Sequence, residues 1–385
     1  MKKAIYFILT SIICFAAFFG GCTAGNKMEN EITNSENGGK KLNLYGRNYY
    51  NGEQGADEFI NVMSGFEVRF SGTCLTAEMK SLPKRQNGAA DAPKFTVWSV
   101  FVDGAKDPFE RSISVDNKEW ETVTVVSGLP DGEHTVKVLK TDDPLISSCY
   151  VRNYGTDGKF LDAPKRPSLK IECFGDSITS GGDNIPLAEG EPYLGMDPKH
   201  CNGGATYISY TAYELNAELN VFAQIGIPLT GASGVANVYS RISPQRGTEW
   251  QMKKFVPDIV VIGLGTNDRR IDPSMNAYVD ACKSFVNTLS VEYGDTAKKI
   301  RYILVHGFMD DGTATIGDKI QAAVNDLDAE GFRICRLQFP EASIKGSNGK
   351  LHYADQAPYW NGHPLWNEHK AASELLTEQI RKPAY

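Results

Sequence analysis

A serine, an asparagine and a histidine, far apart in the chain, have the residue types and settings for covalent chemistry. Ser177 lies in Gly175-Asp176-Ser177-Ile178-Thr179, Asn267 in Gly265-Thr266-Asn267-Asp268, and His363 in Gly362-His363-Pro364. A serine hydroxyl is a weak nucleophile until a base takes its proton, and a neutral imidazole titrates close enough to physiological pH for that task. Acyl transfer also creates an oxyanion, which needs N–H donors. The Asn267 side-chain amide supplies one. The backbone N–H of Ser177, at the mouth of a helix, supplies another. Together these residues predict acyl transfer with Ser177 as nucleophile and His363 as base. A lone Gly-Asp-Ser would mark only an ordinary turn, so the combination carries the reading. Asp176 and Asp268 are expected to hold their loops through backbone hydrogen bonds rather than to act as acids.

Three such distant motifs can meet only if secondary structure delivers them to one place. From Leu42 to about Tyr154 the hydrophobic pattern has period two. Phe66, Val68 and Phe70 alternate with Glu67 and Arg69, and Val123 and Val125 alternate with Thr122 and Thr124. The run from Phe95 to Val102 reads as buried on both faces. These runs, broken by Gly, Pro and Asp, predict an antiparallel, jelly-roll-like β-sandwich over residues 42–160 with no helix. A stretch from about Gly155 to Pro167 reads as a linker. In residues 168–385 strands and helices alternate. Strands are expected at Leu169–Phe174, Val221–Ile225, Asp258–Leu264 and Ile300–Val305. Helices are expected at Thr206–Leu219, Ser274–Leu289 with Ser274 as cap, Lys319–Leu327, and Pro364 to about Ile380 with proline at the first position. This alternation predicts a three-layer α/β domain with a parallel sheet. Sites in such domains gather beyond the carboxyl ends of the strands, where the three motifs fall.

The remaining features bound the setting. Met1-Lys2-Lys3, an uncharged run from Ala4 to Phe19, and Gly20-Gly21-Cys22 read as a signal peptide over residues 1–21. The ending resembles a bacterial lipobox, with Phe19 where Leu is usual. It predicts an exported lipoprotein lipidated on Cys22 and held at the outer membrane by that lipid alone. The apolar run is short for the roughly 20 residues of a spanning helix. Polar residues 22–41 read as a flexible tether. The formal charge is −7, and no basic run suggests a nucleic-acid partner. None of the cysteines forms a C-x-x-C pair, and His352, His363 and His369 fit no standard zinc spacing, so no metal and no cofactor is expected. His352 and His369 read as surface residues. Gly263-x-Gly265 lacks the third glycine of a dinucleotide fingerprint, since Asp268 occupies its place.

The GDSIT, GTND and late His-Pro segments resemble the conserved blocks of the SGNH/GDSL hydrolase superfamily. The remaining block of that superfamily contributes a glycine N–H after the second strand. Gly226 is the best positional match and Gly231 the nearest alternative. A β-sandwich placed ahead, with Gly65-Phe66-Glu67-Val68-Arg69-Phe70-Ser71-Gly72-Thr73, resembles carbohydrate esterase family 2, whose members remove acetyl groups from xylan and related hemicelluloses. The likeness runs from Leu42 to the end of the chain. It implies an oxyanion hole of Ser177, Gly226 and Asn267. Typical members of the superfamily carry an Asp three residues before the histidine, a position held here by Trp360. Relatives of the family often work as a Ser–His dyad in which a backbone carbonyl orients the imidazole. The Trp360 carbonyl is therefore the expected orienter and Asp355 its competitor.

Tyr359, Trp360 and Trp366 flank His363 and offer flat apolar faces for a sugar ring, or pack against the sheet. The substrate reading is acetylated polysaccharide. The alternatives are O-acetyl groups of peptidoglycan or host glycans, small acyl esters, or a surface glycan-binding lipoprotein without activity.

Overall fold

The computed structural model describes residues 32–83, 95–188, 197–271, 273–309, 315–341 and 363–383. The first sheet orders its strands Leu42–Tyr45, Gly65–Gly72, Gly132–Lys140, Thr96–Val102 and Ser112–Val115, with Lys159–Leu161 also paired to Gly65–Gly72. The second orders Asn48–Asn51, Ala56–Phe59, Ser147–Thr156, Leu75–Pro83 and Glu121–Val126. Their facing sides close over Phe59, Phe66, Val68, Phe70, Trp98 and Val138, all essentially solvent-free.

The strand Thr96–Val102 explains the apolar run buried on both faces. Trp98 and Val100 point into the sandwich core. Phe101 points the other way, into the core of the following domain, where its ring lies 5.4 Å from that of Tyr213. The sandwich therefore has one outer face that is an interdomain surface.

Two expectations about the ends of the sandwich need correction. The tether expected over residues 22–41 does not reach Lys41. Ile32 is buried and paired with Tyr154, and Ser35–Gly38 and Gly39–Lys41 form short helical turns. The polar composition hides one isoleucine whose burial fastens the segment. The linker expected from about Gly155 is also shorter, because Lys159–Leu161 joins the first sheet before the chain crosses over.

The second domain carries a five-stranded parallel sheet: β1 (Lys170–Gly175), β2 (Glu218–Ala223), β3 (Ile259–Gly263), β4 (Arg301–Phe308) and β5 (Arg333–Glu341). The order is β2-β1-β3-β4-β5, so the chain reverses direction across the sheet between β1 and β3. Helices α1 (Ser177–Ser180), α2 (Tyr207–Leu215), α3 (Met275–Tyr293), α4 (Thr315–Ala329) and α5 (Trp366–Arg381) connect and cover it. One hydrophobic cluster lies under α3 and α4 and another under α2 and α5, which makes three layers.

Local chemistry accounts for most boundaries. Ser274 caps α3 by accepting the Ala277 N–H, and Gly294 ends it in the left-handed region. The expected helix Thr206–Leu219 stops at Leu215, because Asn216 takes the left-handed conformation and frees Glu218 to Ala223 for β2. Helix α5 starts at Trp366 rather than Pro364. The Glu368 carboxylate reaches back to accept the Leu365 N–H at 2.8 Å, which sets the cap there. Strand β5 was not anticipated from the sequence, since Arg333, Arg336 and Gln338 break the apolar pattern at an edge position.

Candidate active site

The strands next to the reversal point end level with one another. Gly175 of β1 sits beside Ala223 of β2 on one side and Gly263 of β3 on the other. Three loops therefore leave the sheet at the same height, carrying Ser177, Gly226 and Asn267. This is the crevice where open parallel sheets bind ligands.

The Ser177 loop is a tight strand-to-helix turn. A Cβ on Gly175 would lie 2.0 Å from the Thr179 hydroxyl oxygen, so only glycine lets the chain fold back so closely. Asp176 caps the single-turn helix α1 by accepting the Ile178 N–H at 3.0 Å. The backbone N–H of Ser177 meets no acceptor among the described residues.

Across 186 residues of sequence, His363 Nε2 and Ser177 Oγ lie 2.6 Å apart, and both residues are buried. An imidazole nitrogen this close to a hydroxyl can take its proton as the oxygen attacks an acyl carbon, and can return it to the departing group. His363 is delivered by the segment just before α5. That helix is locked onto α2 by the Tyr207 N–H donating to His369 Nδ1 at 3.2 Å and by the Thr211 hydroxyl donating to the Ser373 carbonyl.

Asn267 is held from both sides. Its Nδ2 lies 3.2 Å from the Asp176 carboxylate and 3.2 Å from the Ile227 carbonyl, so each amide hydrogen has an acceptor. The contact with Ile227 also brings the Gly226 turn to the same place. Gly226 has φ 78°, in the left-handed region, and a Cβ there would meet nothing within 4 Å. Gly231, five residues on, is instead engaged in its own turn, its carbonyl accepting from Gly234 N and Asn237 Nδ2.

The two aspartates do the loop-holding work expected of them. Asp268 is fully buried and accepts the Leu229 and Thr230 N–H groups at 2.8 and 2.9 Å, tying the Asn267 loop to the segment after Gly226. Asp176 ties the serine loop to Asn267. Burial, reinforced by the nearby Asp268 carboxylate, raises the Asp176 carboxyl to about 7.

Trp366 stands at the N-terminus of α5, 38% exposed, with its ring 5.6 Å from that of Phe109 of the sandwich. Tyr359, Trp360 and Asp355 lie outside the described residues, as does Cys22. His369 corrects the surface assignment: it is buried, with its ring stacked on Tyr207. Its i, i+3, i+7 spacing with Ala372 and Leu376 could have marked it as inward-facing. Two residues escaped the sequence reading altogether. Asp143, from the sandwich, accepts the Ile225 N–H at 2.8 Å. Glu368 fixes the loop after His363. Asp143 stands in Thr141-Asp142-Asp143-Pro144, which reads as an ordinary turn. Among the described residues no three His, Cys, Asp or Glu side chains are grouped to hold a metal ion.

A parallel sheet reversing between β1 and β3, with a serine and a histidine in contact beyond the reversal point, defines a hydrolase domain of the SGNH/GDSL class. A family model described as GDSL-like Lipase/Acylhydrolase matches residues 171–356, and one described as Carbohydrate esterase 2 N-terminal matches residues 45–164. The chain belongs to the GDSL hydrolases and, through its paired domains, to carbohydrate esterase family 2. A relative named Cellulase/esterase CelE, from Acetivibrio thermocellus, is 31% identical over 329 residues. That match covers 83% of this chain and 36% of the relative, so the chain spans about a third of that protein. A protein of Cellvibrio japonicus named Acetylxylan esterase / glucomannan deacetylase is 25% identical over 81% of this chain and 80% of its own length. The solved structure of a family two carbohydrate esterase from Clostridium thermocellum in complex with cellohexaose superposes with TM-score 0.73 at 27% identity. It covers 88% of this chain and 98% of that one.

Proposed function

We propose that this chain is a serine esterase that removes O-acetyl groups from polysaccharide, xylan or another hemicellulose. The observation that carries the reading is the 2.6 Å contact between Ser177 Oγ and His363 Nε2 at the carboxyl end of the sheet. The naming of the Cellvibrio japonicus relative as an acetylxylan esterase and glucomannan deacetylase supports the substrate class.

The proposed reaction runs in these steps. Ser177 Oγ attacks the acetyl carbonyl carbon while His363 Nε2 takes its proton. The oxyanion accepts hydrogen bonds from the backbone N–H groups of Ser177 and Gly226 and from Asn267 Nδ2. Asn267 turns one N–H from the neutral Ile227 carbonyl to the oxyanion, because a charge-assisted bond is roughly twice as strong as a neutral one. His363 then protonates the leaving sugar oxygen. Water, deprotonated by the same imidazole, attacks the acetyl-Ser177 ester and frees acetate. The Trp360 carbonyl orients the imidazole in place of a carboxylate, with Asp355 as the alternative. Trp366, with Tyr359 and Trp360, supplies aromatic surface for the sugar chain.

The chain is exported and held at the outer membrane by a lipid on Cys22. Among the described residues no helix is long and apolar enough to cross a membrane. Blocking lipidation by Cys22→Ala should release the protein from membranes.

Acetate release from acetylated xylan, glucomannan and peptidoglycan, by wild type and Ser177→Ala, tests the reading. Release from the hemicelluloses that vanishes in the variant is expected. Preference for peptidoglycan would move the substrate. Turnover by neither protein, with both folded, would leave a binding module.

A further inference from the structure

The segment after β2 is pinned at every backbone N–H but one. Gln224 N donates to the Gly175 carbonyl, Ile225 N to the Asp143 carboxylate, and Ile227 N to the Gln224 carbonyl. Among the described residues the Gly226 N–H has no acceptor. The odd member of this set is Asp143, because it belongs to the sandwich and not to the hydrolase domain. It leaves the sheet just after Gly132–Lys140 and is fully buried. Its Oδ1 accepts the Leu145 N–H at 2.8 Å, which fixes the carboxylate on its own loop. Its Oδ2 accepts the Ile225 N–H at 2.8 Å, while the Ser180 hydroxyl at the end of α1 donates to the Ser177 carbonyl. One side chain of the sandwich thus holds the turn carrying Gly226.

We propose that Asp143 is a positioning residue for the hydrolase site: it anchors the Gln224–Ile227 turn so that the Gly226 N–H points at the oxyanion. This rests on the esterase reading above, with Gly226 as a donor. The charged and titratable groups around Asp143 leave it that role. On its own loop, the Lys140 ammonium is committed to Asp142, with Nζ 3.0 Å from the carboxylate and 2.7 Å from the carbonyl. Across the junction lie Asp183 and the Cys201 thiol, neither of which supplies a positive charge. Burial raises the Asp143 carboxyl to about 6, so it is ionised, and its bond to Ile225 charge-assisted, at neutral pH.

The test is steady-state kinetics of the full chain on 4-nitrophenyl acetate and its thionoacetate analogue, whose sulfur accepts hydrogen bonds poorly. Asp143→Asn keeps the shape but can offer an acceptor to only one of Leu145 and Ile225. A displaced oxyanion donor predicts kcat down about tenfold to a hundredfold on the oxygen ester. KM should change less than twofold, and the loss on the thiono ester should be clearly smaller. Equal losses on both esters, or unchanged kcat in a folded variant, would overturn the proposal. Asn267→Ala and Ser177→Ala are the controls. If Asn267→Ala is selective against the oxygen ester and Asp143→Asn is not, only the Asp143 role fails. If Ser177→Ala retains activity, the esterase reading itself fails. Should Asp143→Asn not fold, Asp143→Glu, which keeps the charge but displaces the acceptor from the Ile225 N–H, serves instead: a loss clearly larger on the oxygen ester than on the thiono ester supports the role of Asp143, and equal losses or none overturn it.

Discussion

Among the charged contacts between the sandwich and the hydrolase domain, which include buried Glu58 with Arg246, two are built differently. At one, Arg47 from the sandwich is fully buried and pairs at 2.8 Å with Glu172 in the middle of β1. Its guanidinium also donates to the carbonyls of Tyr239 and Arg241 and lies over the Phe222 ring. The Glu172 carboxylate is satisfied further by Tyr293 and Asn220. At the other, Asp143 meets the hydrolase domain through the Ile225 N–H, with no cation of that domain beside it among the described residues. The first junction is a neutralised network far down the sheet, and losing a member strands a buried charge. The second is a single carboxylate beside the catalytic loops, whose charge can change within the physiological pH range. One junction holds the domains together and the other tunes the site.

Ser177→Ala sets the scale for any effect on the site. Activity should fall about ten-thousandfold or more, with residual rate from the oxyanion donors alone. Retained activity would mean another nucleophile. The clamp should respond in stability instead. Arg47→Ala leaves Glu172 unpaired in the interior and should cost about 3–5 kcal/mol, read by denaturant unfolding. The folded fraction should keep its kcat. A variant that melts normally but turns over slowly would erase the contrast between the junctions.

Asp143→Asn should show the opposite signature, with kcat reduced and the melting temperature shifted little. The pH dependence sharpens this. A carboxyl raised to about 6 takes up its proton in the folded state before the unfolded chain does. Between about pH 4 and pH 6 the folded state is then the one holding more protons, so this group adds stability as pH falls while activity drops. Melts of wild type and Asp143→Asn across that range should converge or cross in that sense. His369 has the reverse sign. Burial, with the His363 ring adding to it, lowers it to about 3. Below its ordinary value of 6.5 the unfolded chain binds the extra proton, so stability is lost as pH falls from there toward 3, at about 1.4 kcal/mol per pH unit. His369→Asn, which preserves an acceptor for Tyr207 N, should flatten that slope.

The smallest effect is expected from Trp366→Ala. KM for an acetylated polysaccharide should rise a few-fold while hydrolysis of 4-nitrophenyl acetate stays the same. A matching loss on the small ester would put Trp366 in the support of the His363 segment instead.

The site and its supports differ in how far they could be read from sequence. Ser177 and Asn267 were legible because strand-to-loop junctions carry their own signals, an apolar run, a glycine and a small polar residue, and His363 because Gly-His-Pro stands just ahead of the last helix. The alternation of Phe66, Val68 and Phe70 marked a sandwich strand, and the Ser274 cap marked the start of α3. Strand β5 was not legible, because its exposed positions carry arginine and glutamine. His369 was misplaced outside the core because a buried neutral histidine has the same letter as an exposed one.

By itself the sequence determined two domains of different period and three motifs at strand-to-helix or loop-to-helix junctions, since local periodicity and turn chemistry depend only on neighbours in the chain. Tertiary structure decided which charges face each other across the interdomain surface. Arg47 meets Glu172 and Asp143 meets Ile225 only because Phe101 and its neighbours press one face of the sandwich onto the hydrolase domain. A contact between residues some eighty to one hundred and twenty-five positions apart leaves no periodic trace in either segment.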